Sequence, residues 1–154
     1  VRYHLIDRIE ELQPFKYAIG VKCISLSDDC FEQHFPGEPI YPGALLLEAM
    51  AQLGGAMLEV SMRDTEGNSP RCVLSSVKAK FRGFARPGDR LIMRADVVSH
   101  HPDSALVRTS GSRDSEHICE AEIVFVYVNP ESPRLTAGRK DFLADVTRAT
   151  RMIP

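Results

Sequence analysis

The sequence contains no tryptophan, and aromatic residues fill only 7% of its 154 positions. Cysteine is scarce. Cys23, Cys30, Cys72 and Cys119 form no C-x-x-C pair, and none stands beside a histidine at zinc-finger spacing. A disulfide scaffold and a zinc module are excluded, and the thiols read as the reduced, partly buried cysteines of a cytoplasmic protein. An excess of one charge is also missing. Nineteen basic and twenty-one acidic residues give a net charge of −2, which speaks against a general nucleic-acid or membrane-surface binder. No stretch reads as long and apolar enough to span a bilayer, and no charged-then-apolar leader opens the chain. Val1 opens it without a methionine, which leaves room for an upstream piece. There are no repeats and no low-complexity tract. His100-His101 is an adjacent pair on a strand or turn. Such neighbours point apart, and with no third ligand nearby no metal is assigned.

What is present fits one globular domain. Hydrophobic residues make up 44% and charged residues 26%, near the globular average. A chain of this length buries roughly 68–70% of its unfolded surface. That gives one core, but not enough chain to enclose a long ligand without a second subunit.

The mix of apolar and charged residues over Tyr3 to Leu12 reads as a strand, and alternation predicts another over Lys16 to Ser25, with Tyr17, Ile19, Val21 and Cys23 on one face. Asp28 to Tyr41 reads as a loop broken by Pro36, Gly37 and Pro39. Ala44 to about Met62 reads as a helix. Four more strands follow, over Val73 to Arg82, Leu91 to Val97, Ala105 to Ser110 and Ile118 to Val128. In the first, Val73, Val77, Ala79 and Phe81 face one way. In the last, Cys119, Ala121, Ile123, Phe125 and Tyr127 do. Asn129 to Gly138 reads as a linker, and Lys140 to Arg151 as a short surface helix with Phe142, Leu143 and Val146 inward. The expected architecture is α+β: one antiparallel sheet packed on one long helix. The domain runs over 1–130, and 131–154 forms a C-terminal tail.

The most informative stretch runs from Pro39 to Leu58 and holds a single charge, Glu48. A helix apolar nearly all round is a buried helix. Gln52 lies four residues after Glu48, and Gly55 and Glu59 continue the same stripe. A carboxylate on such a helix must be protonated, paired or hydrogen-bonded. Burial favours its neutral form and suits a general acid. Just upstream, His34 stands in a loop stiffened by Pro36, Pro39 and Pro42, and proline restrains both itself and the residue before it. Gly43 falls in the first helical turn, where backbone N–H groups are unpaired and the helix dipole favours negative charge. An imidazole, a carboxylic acid and free N–H groups suit acid–base chemistry beside a polarised carbonyl.

These residues resemble a known family. His34-Phe35-Pro36-Gly37-x-Pro39-x-x-Pro42-Gly43, followed by Glu48-Ala49-Met50-Ala51-Gln52, is similar to the signature of the β-hydroxyacyl-ACP dehydratases, in the FabZ form with Glu on the helix rather than the FabA form with Asp. Lys80-Phe81-Arg82, Pro87-Gly88-Asp89 and Leu5-Ile6-Asp7-Arg8-Ile9 resemble further parts of that pattern. The likeness spans roughly residues 3 to 128.

The resemblance implies a hotdog fold, a long helix wrapped by an antiparallel sheet. It implies a homodimer with shared active sites, which the family pattern can extend to a trimer of dimers. In the implied reaction a (3R)-3-hydroxyacyl thioester on acyl carrier protein loses water to give the trans-2-enoyl thioester. His34 of one subunit takes the C2 proton and Glu48 of the other protonates the leaving hydroxyl. The Gly43 N–H holds the thioester carbonyl and Gln52 orients Glu48. No metal or organic cofactor is implied, since the thioester supplies the acidity.

Two positions depart from the family pattern. Gln33 stands where it usually has Gly, which would strain the chain if that position needs positive φ. Tyr41 replaces a more usual apolar residue, and would narrow or polarise the site. Because acyl carrier proteins are acidic, Lys80, Arg82 and Arg86, with Lys78 and Arg90 nearby, form the expected docking patch, with an ordinary solvated sheet face as the alternative. Two other functions remain open at this point: a hotdog acyl-thioesterase, and a non-catalytic acyl- or carrier-binding subunit.

Overall fold

The computed structural model describes residues 3–129 and 132–154. A 19-residue helix, α1 (Gly43–Ser61), runs through the middle. Strands β1 (Arg8–Gln13), β2 (Tyr17–Cys23), β3 (Arg71–Phe81), β4 (Arg90–His100), β5 (Ser104–Arg113), β6 (Glu116–Val128) and β7 (Arg151–Met152) form one sheet, in the order β3-β6-β5-β4-β2-β1-β7. All pairings are antiparallel except β1 with β7. A second helix, α2, covers Pro133–Val146.

The sheet wraps α1. Met50, Leu53, Ala56, Met57 and Leu58 have no exposed surface, and each large apolar side chain so enclosed contributes about 1.5–3 kcal/mol. By length and apolarity alone α1 would suffice to cross a membrane, contrary to the expectation that no stretch would. Its burial inside the sheet identifies it as the core helix. The first turns are more open, with Ala44 exposed and Gly43, Leu45, Leu47 and Glu48 half-buried.

Close helix–sheet contact reverses one expectation. The inner face of β2 is Ala18, Gly20 and Lys22, paired with the buried Ala95, Met93 and Leu91 of β4. A Cβ at Gly20 would lie 2.9 Å from Leu53 Cδ1, so the helix sits where a small residue leaves room. Period-2 reading favoured the larger residues Tyr17, Ile19 and Val21, which turn to the other face. A bulge between Leu74 and Ser76 of β3 makes a second correction. It shifts the alternation, so Cys72 and Leu74, opposite Tyr127 and Phe125, share a face with Val77, Ala79 and Phe81, and Val73 does not.

The expected inner face of β6 is present: Cys119, Ala121, Ile123 and Phe125 are buried. Residues 104–113 form a longer strand than expected, closed to β6 by Asp114 and Ser115, both at positive φ. Tyr3 to Asp7 lie outside any strand, though Leu5 and Ile6 are buried. Of the expected linker, residues 130 and 131, and with them the expected domain boundary, lie outside the described residues. From Ser132 the chain caps and enters α2 with Pro133 at its start, a position that suits proline. Phe142, Leu143 and Val146 are buried, as expected. β7 then lies along β1: Thr150 Oγ1 donates to the Ile9 carbonyl at 2.6 Å and Ile153 N–H to Leu12 at 2.9 Å.

Candidate active site

His34 stands just after a 3-10 turn, Asp29–Glu32. Its backbone N–H donates to Cys30, its carbonyl accepts from Ile40, and Phe35 and Glu38 exchange two backbone bonds. The His34–Phe35 peptide bond is cis. His34 Nδ1 lies 2.8 Å from the Ile40 carbonyl oxygen. A carbonyl only accepts, so Nδ1 carries the hydrogen and Nε2 is the basic nitrogen. The ring stacks on Phe35 with centroids 4.0 Å apart. Gln33 has φ −123°, a conformation open to any residue, so its replacement of glycine brings no strain. The positive φ of this loop belongs to Gly37, at 79°.

Gly43 opens α1 after Pro42, and no side chain caps the helix start. The first N–H groups of a helix have no carbonyl one turn earlier to receive them. A Cβ at Gly43 would lie 3.3 Å from two atoms of the Phe81 ring, so glycine lets β3 approach the helix start. His34, Gly43, Phe81, Gly83 and Ala85 line a cavity of about 310 Å³.

Glu48 lines a different cavity, of about 450 Å³, together with Gln52, Gly55 and Glu59. The two cavities have no lining residue in common. Glu48 is five positions after Gly43, which is about 140° around a helix. Within one chain, then, the expected base and acid open on different sides of α1.

The hydrogen bonds around Glu48 centre on Gln52. Gln52 Nε2 donates to Glu48 Oε1 at 3.1 Å and to the Tyr3 carbonyl at 2.8 Å, while its Oε1 accepts the Leu5 N–H at 2.9 Å. The amide is thereby locked, with one hydrogen aimed at the carboxylate. The Tyr3 side chain lies near Glu48, and that carboxylate's negative charge pushes Tyr3's ionisation upward. Nothing in the sequence pattern singles out Tyr3, because its approach to Glu48 depends on a contact 45 residues along the chain.

Glu48 is half-buried, not enclosed as expected. The enclosed acid of the stripe is Glu59, 1% exposed, with Oε2 taking Arg139 Nε at 2.6 Å and Oε1 taking the Cys72 N–H at 3.0 Å. Burial, with Glu59's charge beside it, pushes the Cys72 thiol up.

Tyr41 is buried, its ring 6.1 Å from that of Phe31 and 5.9 Å from Lys22 Nζ. It lies between the His34 cavity and a third one lined by Lys22, Asp28 and Cys30. Of the expected docking residues, Arg82 pairs with Glu120 at 2.7 Å, Arg86 with Glu38 at 3.2 Å and Arg90 with Glu10 at 2.9 Å. Lys78 and Lys80 stand opposite Glu122 and Glu120 in register. The basic residues are thus interleaved with acids. The His100 ring packs on Phe15, centroids 4.6 Å apart.

A long helix wrapped by an antiparallel sheet defines a hotdog fold. Solved structures share the fold. A hypothetical thioesterase with coenzyme A from Streptococcus pneumoniae matches at TM-score 0.63 and 12% identity, over 81% of this chain and 88% of that one. A dehydratase heterocomplex from Xenorhabdus doucetiae matches at 0.58 and 18%, over 73% and 88%. The FabA-like domain family model matches residues 2–122. The 3-hydroxyacyl-[acyl-carrier-protein] dehydratase FabZ of Clostridium acetobutylicum is 38% identical over 125 residues, 80% of this chain and 86% of that protein. That of Campylobacter curvus is 38% identical over 129 residues, 81% and 87%. The chain belongs to the FabA-like family, and these relatives within it are FabZ dehydratases.

Proposed function

We propose that the protein dehydrates (3R)-3-hydroxyacyl thioesters carried on acyl carrier protein, in fatty acid or related acyl-chain synthesis, as a cytoplasmic homodimer. The carrying observation is the His34 imidazole, whose Nδ1–H is held by the Ile40 carbonyl at 2.8 Å and whose Nε2 is left as a base near the start of α1. Similarity to FabZ dehydratases supports the same reading.

In the reaction, Nε2 of His34 takes the C2 proton and the electron pair forms the C2–C3 double bond. The C3–O bond breaks as Glu48 gives its proton to the departing oxygen, which leaves as water. The Gly43 N–H stabilises the enolate-like carbonyl oxygen. Gln52, fixed by two backbone partners, orients Glu48. Imidazolium and carboxylate then exchange a proton through solvent to reset. That His34 and Glu48 line separate cavities in one chain supports a site that takes its histidine from one copy and its glutamate from the other. The exposed apolar residues of edge strand β3, Leu74 and Phe81, suit a second copy. Residues 1–130 form the catalytic unit, no cofactor enters the scheme, and Lys80, Arg82 and Arg86 dock the carrier.

The test incubates the protein with a 3-hydroxyacyl and a 2-enoyl thioester, following enoyl absorbance and free thiol separately. Interconversion that is lost in both His34→Ala and Glu48→Gln is the expected result. Thiol release instead marks a thioesterase, and neither signal marks a binding subunit. Arg82→Glu with Arg86→Glu should weaken turnover of the carrier-bound substrate and spare a pantetheine thioester; equal loss on both removes the docking role.

A further inference from the structure

The C-terminal helix α2 lies beyond residues 2–122, the part matched by the family model. Nonetheless it forms a wall of the cavity that begins at Glu48: Leu135, Gly138, Arg139 and Phe142 all line it. The facing wall is the stripe of α1, with Gly55 between Glu48 and Glu59. Along the helix axis Gly55 lies about 10 Å and Glu59 about 16 Å from Glu48. Leu74 and Phe125 supply apolar surface between them.

The far end has a different character. Arg139 Nε meets Glu59 at 2.6 Å, and the guanidinium lies 4.5 Å from the Phe142 ring centroid. Arg71 reaches α2 as well, donating from Nη1 to the Leu135 carbonyl at 3.4 Å. An alkyl tail can follow the apolar stretch. One that reached the ion pair would have to displace it or desolvate it without supplying a hydrogen bond.

Gly55 lines this path between Glu48 and Glu59. A Cβ there would lie 3.6 Å from Cys72 Cβ, 3.7 Å from Phe125 Cε1 and 3.9 Å from an Arg139 Nη. The backbone therefore accepts a side chain, and a large one would run into the cavity. At Gly138, on the opposite wall, no atom lies within 4 Å of such a Cβ.

We propose that α2 sets the acyl-chain length this protein accepts, with the Arg139–Glu59 pair as a polar stop and Gly55 as the residue that keeps the path open. This rests on the dehydratase reading, since it takes the Glu48 cavity as the acyl site. The class of ligand is an acyl thioester of medium length with an apolar tail.

The test uses saturated thioesters, which cannot be dehydrated, so it reads binding whether or not the chemistry is as proposed. Affinities of butyryl-, decanoyl- and hexadecanoyl-pantetheine are measured by calorimetry on the full chain. The wild type is expected to prefer decanoyl to both others. Gly55→Leu and, from the facing wall, Gly138→Phe should each lower the decanoyl-to-butyryl affinity ratio at least tenfold. Replacing both charges, Glu59→Leu with Arg139→Met, should raise the hexadecanoyl-to-decanoyl ratio at least tenfold. Folding of each variant is checked by its melting curve. If both cavity-filling variants keep the decanoyl-to-butyryl ratio within twofold of wild type, or if the wild type binds no decanoyl thioester, the proposal is overturned. Failure of the dehydratase reading shows separately, as absence of enoyl formation by a protein that still sorts saturated chains by length.

Discussion

Glu48 and Glu59 lie on one stripe of one helix, yet their surroundings make them opposites. Glu59 is 1% exposed and satisfied by a guanidinium and a backbone N–H. Glu48 is half-buried and takes its hydrogen bond from a neutral amide, with the Tyr3 phenol nearby. Glu59 is enclosed and fully occupied by its partners, which suits structure. Glu48 is oriented by an amide and keeps exposed surface, which suits chemistry. Burial alone does not mark the reactive acid, because the better-buried of the two is the structural one.

The largest effect should come from Glu48→Gln, which keeps shape and hydrogen bonding but removes the proton. Dehydration should fall by about 10²–10⁴-fold with little change in melting temperature; a variant within fivefold of wild type breaks the contrast. Arg139→Ala strikes the other acid. It leaves Glu59 buried without its cation and should cost about 3 kcal/mol, read by denaturant titration. Loss of turnover on short thioesters with unchanged stability would exchange the two roles.

The glycines on α1 sharpen the same contrast. Gly54 lies in the wrapped half, and a Cβ there would meet Phe125 Cε2 at 3.2 Å and Val107 Cγ1 at 3.4 Å. Gly54→Ala should cost about 1 kcal/mol. Gly43 lies in the open half, where the Cβ would meet the Phe81 ring, at 3.3 Å. Gly43→Ala should cost about 0.5 kcal/mol or less, read in the same titration, while lowering turnover more than Gly54→Ala does.

The smallest effect near neutrality concerns Cys119, packed on the wrapped half with its Sγ 3.6 Å from Met50 Sδ. Burial pushes its thiol up to about 11 from an ordinary 9.0. Above pH 9 the unfolded chain releases this proton and the folded chain keeps it, so stability falls as pH rises towards 11. Substituting Cys119 by Ala should flatten that slope. At pH 8 the exposed Cys23 should be alkylated first, with Cys119 protected until unfolding, as mass spectrometry would show.

Much of this was legible in the residues. The run from Pro39 to Leu58 marked a core helix because one charge in twenty residues leaves little else. The alternation of β6 gave its inner face because Cys119, Ala121 and Ile123 are interleaved with the charged Glu120 and Glu122. The inner face of β2 was hidden because its defining residues are small: Ala18 and Gly20 are chosen by the space Leu53 takes. The bulge in β3 is a one-residue shift with no compositional mark. His34, Gly43, Glu48 and Gln52 could be picked out by type and spacing, and the Gln52–Glu48 contact follows from an i,i+4 step. The Tyr3 hydroxyl and the Ile40 carbonyl could not, since each depends on how a loop or an unstructured segment folds back.

The parallel seam between β1 and β7 also orders events in time. β1 is made well before β7, and one of its flanks is covered by β2 after a short turn. Its other flank waits for residues about 140 positions later, as the Glu11–Arg151 pair shows. Throughout that interval β1 presents a free edge, the kind of surface that invites pairing with a foreign strand. Docking of residues 151–152 is therefore the step that covers the Glu11–Leu12 end of this edge, and a chain interrupted before it keeps that end open.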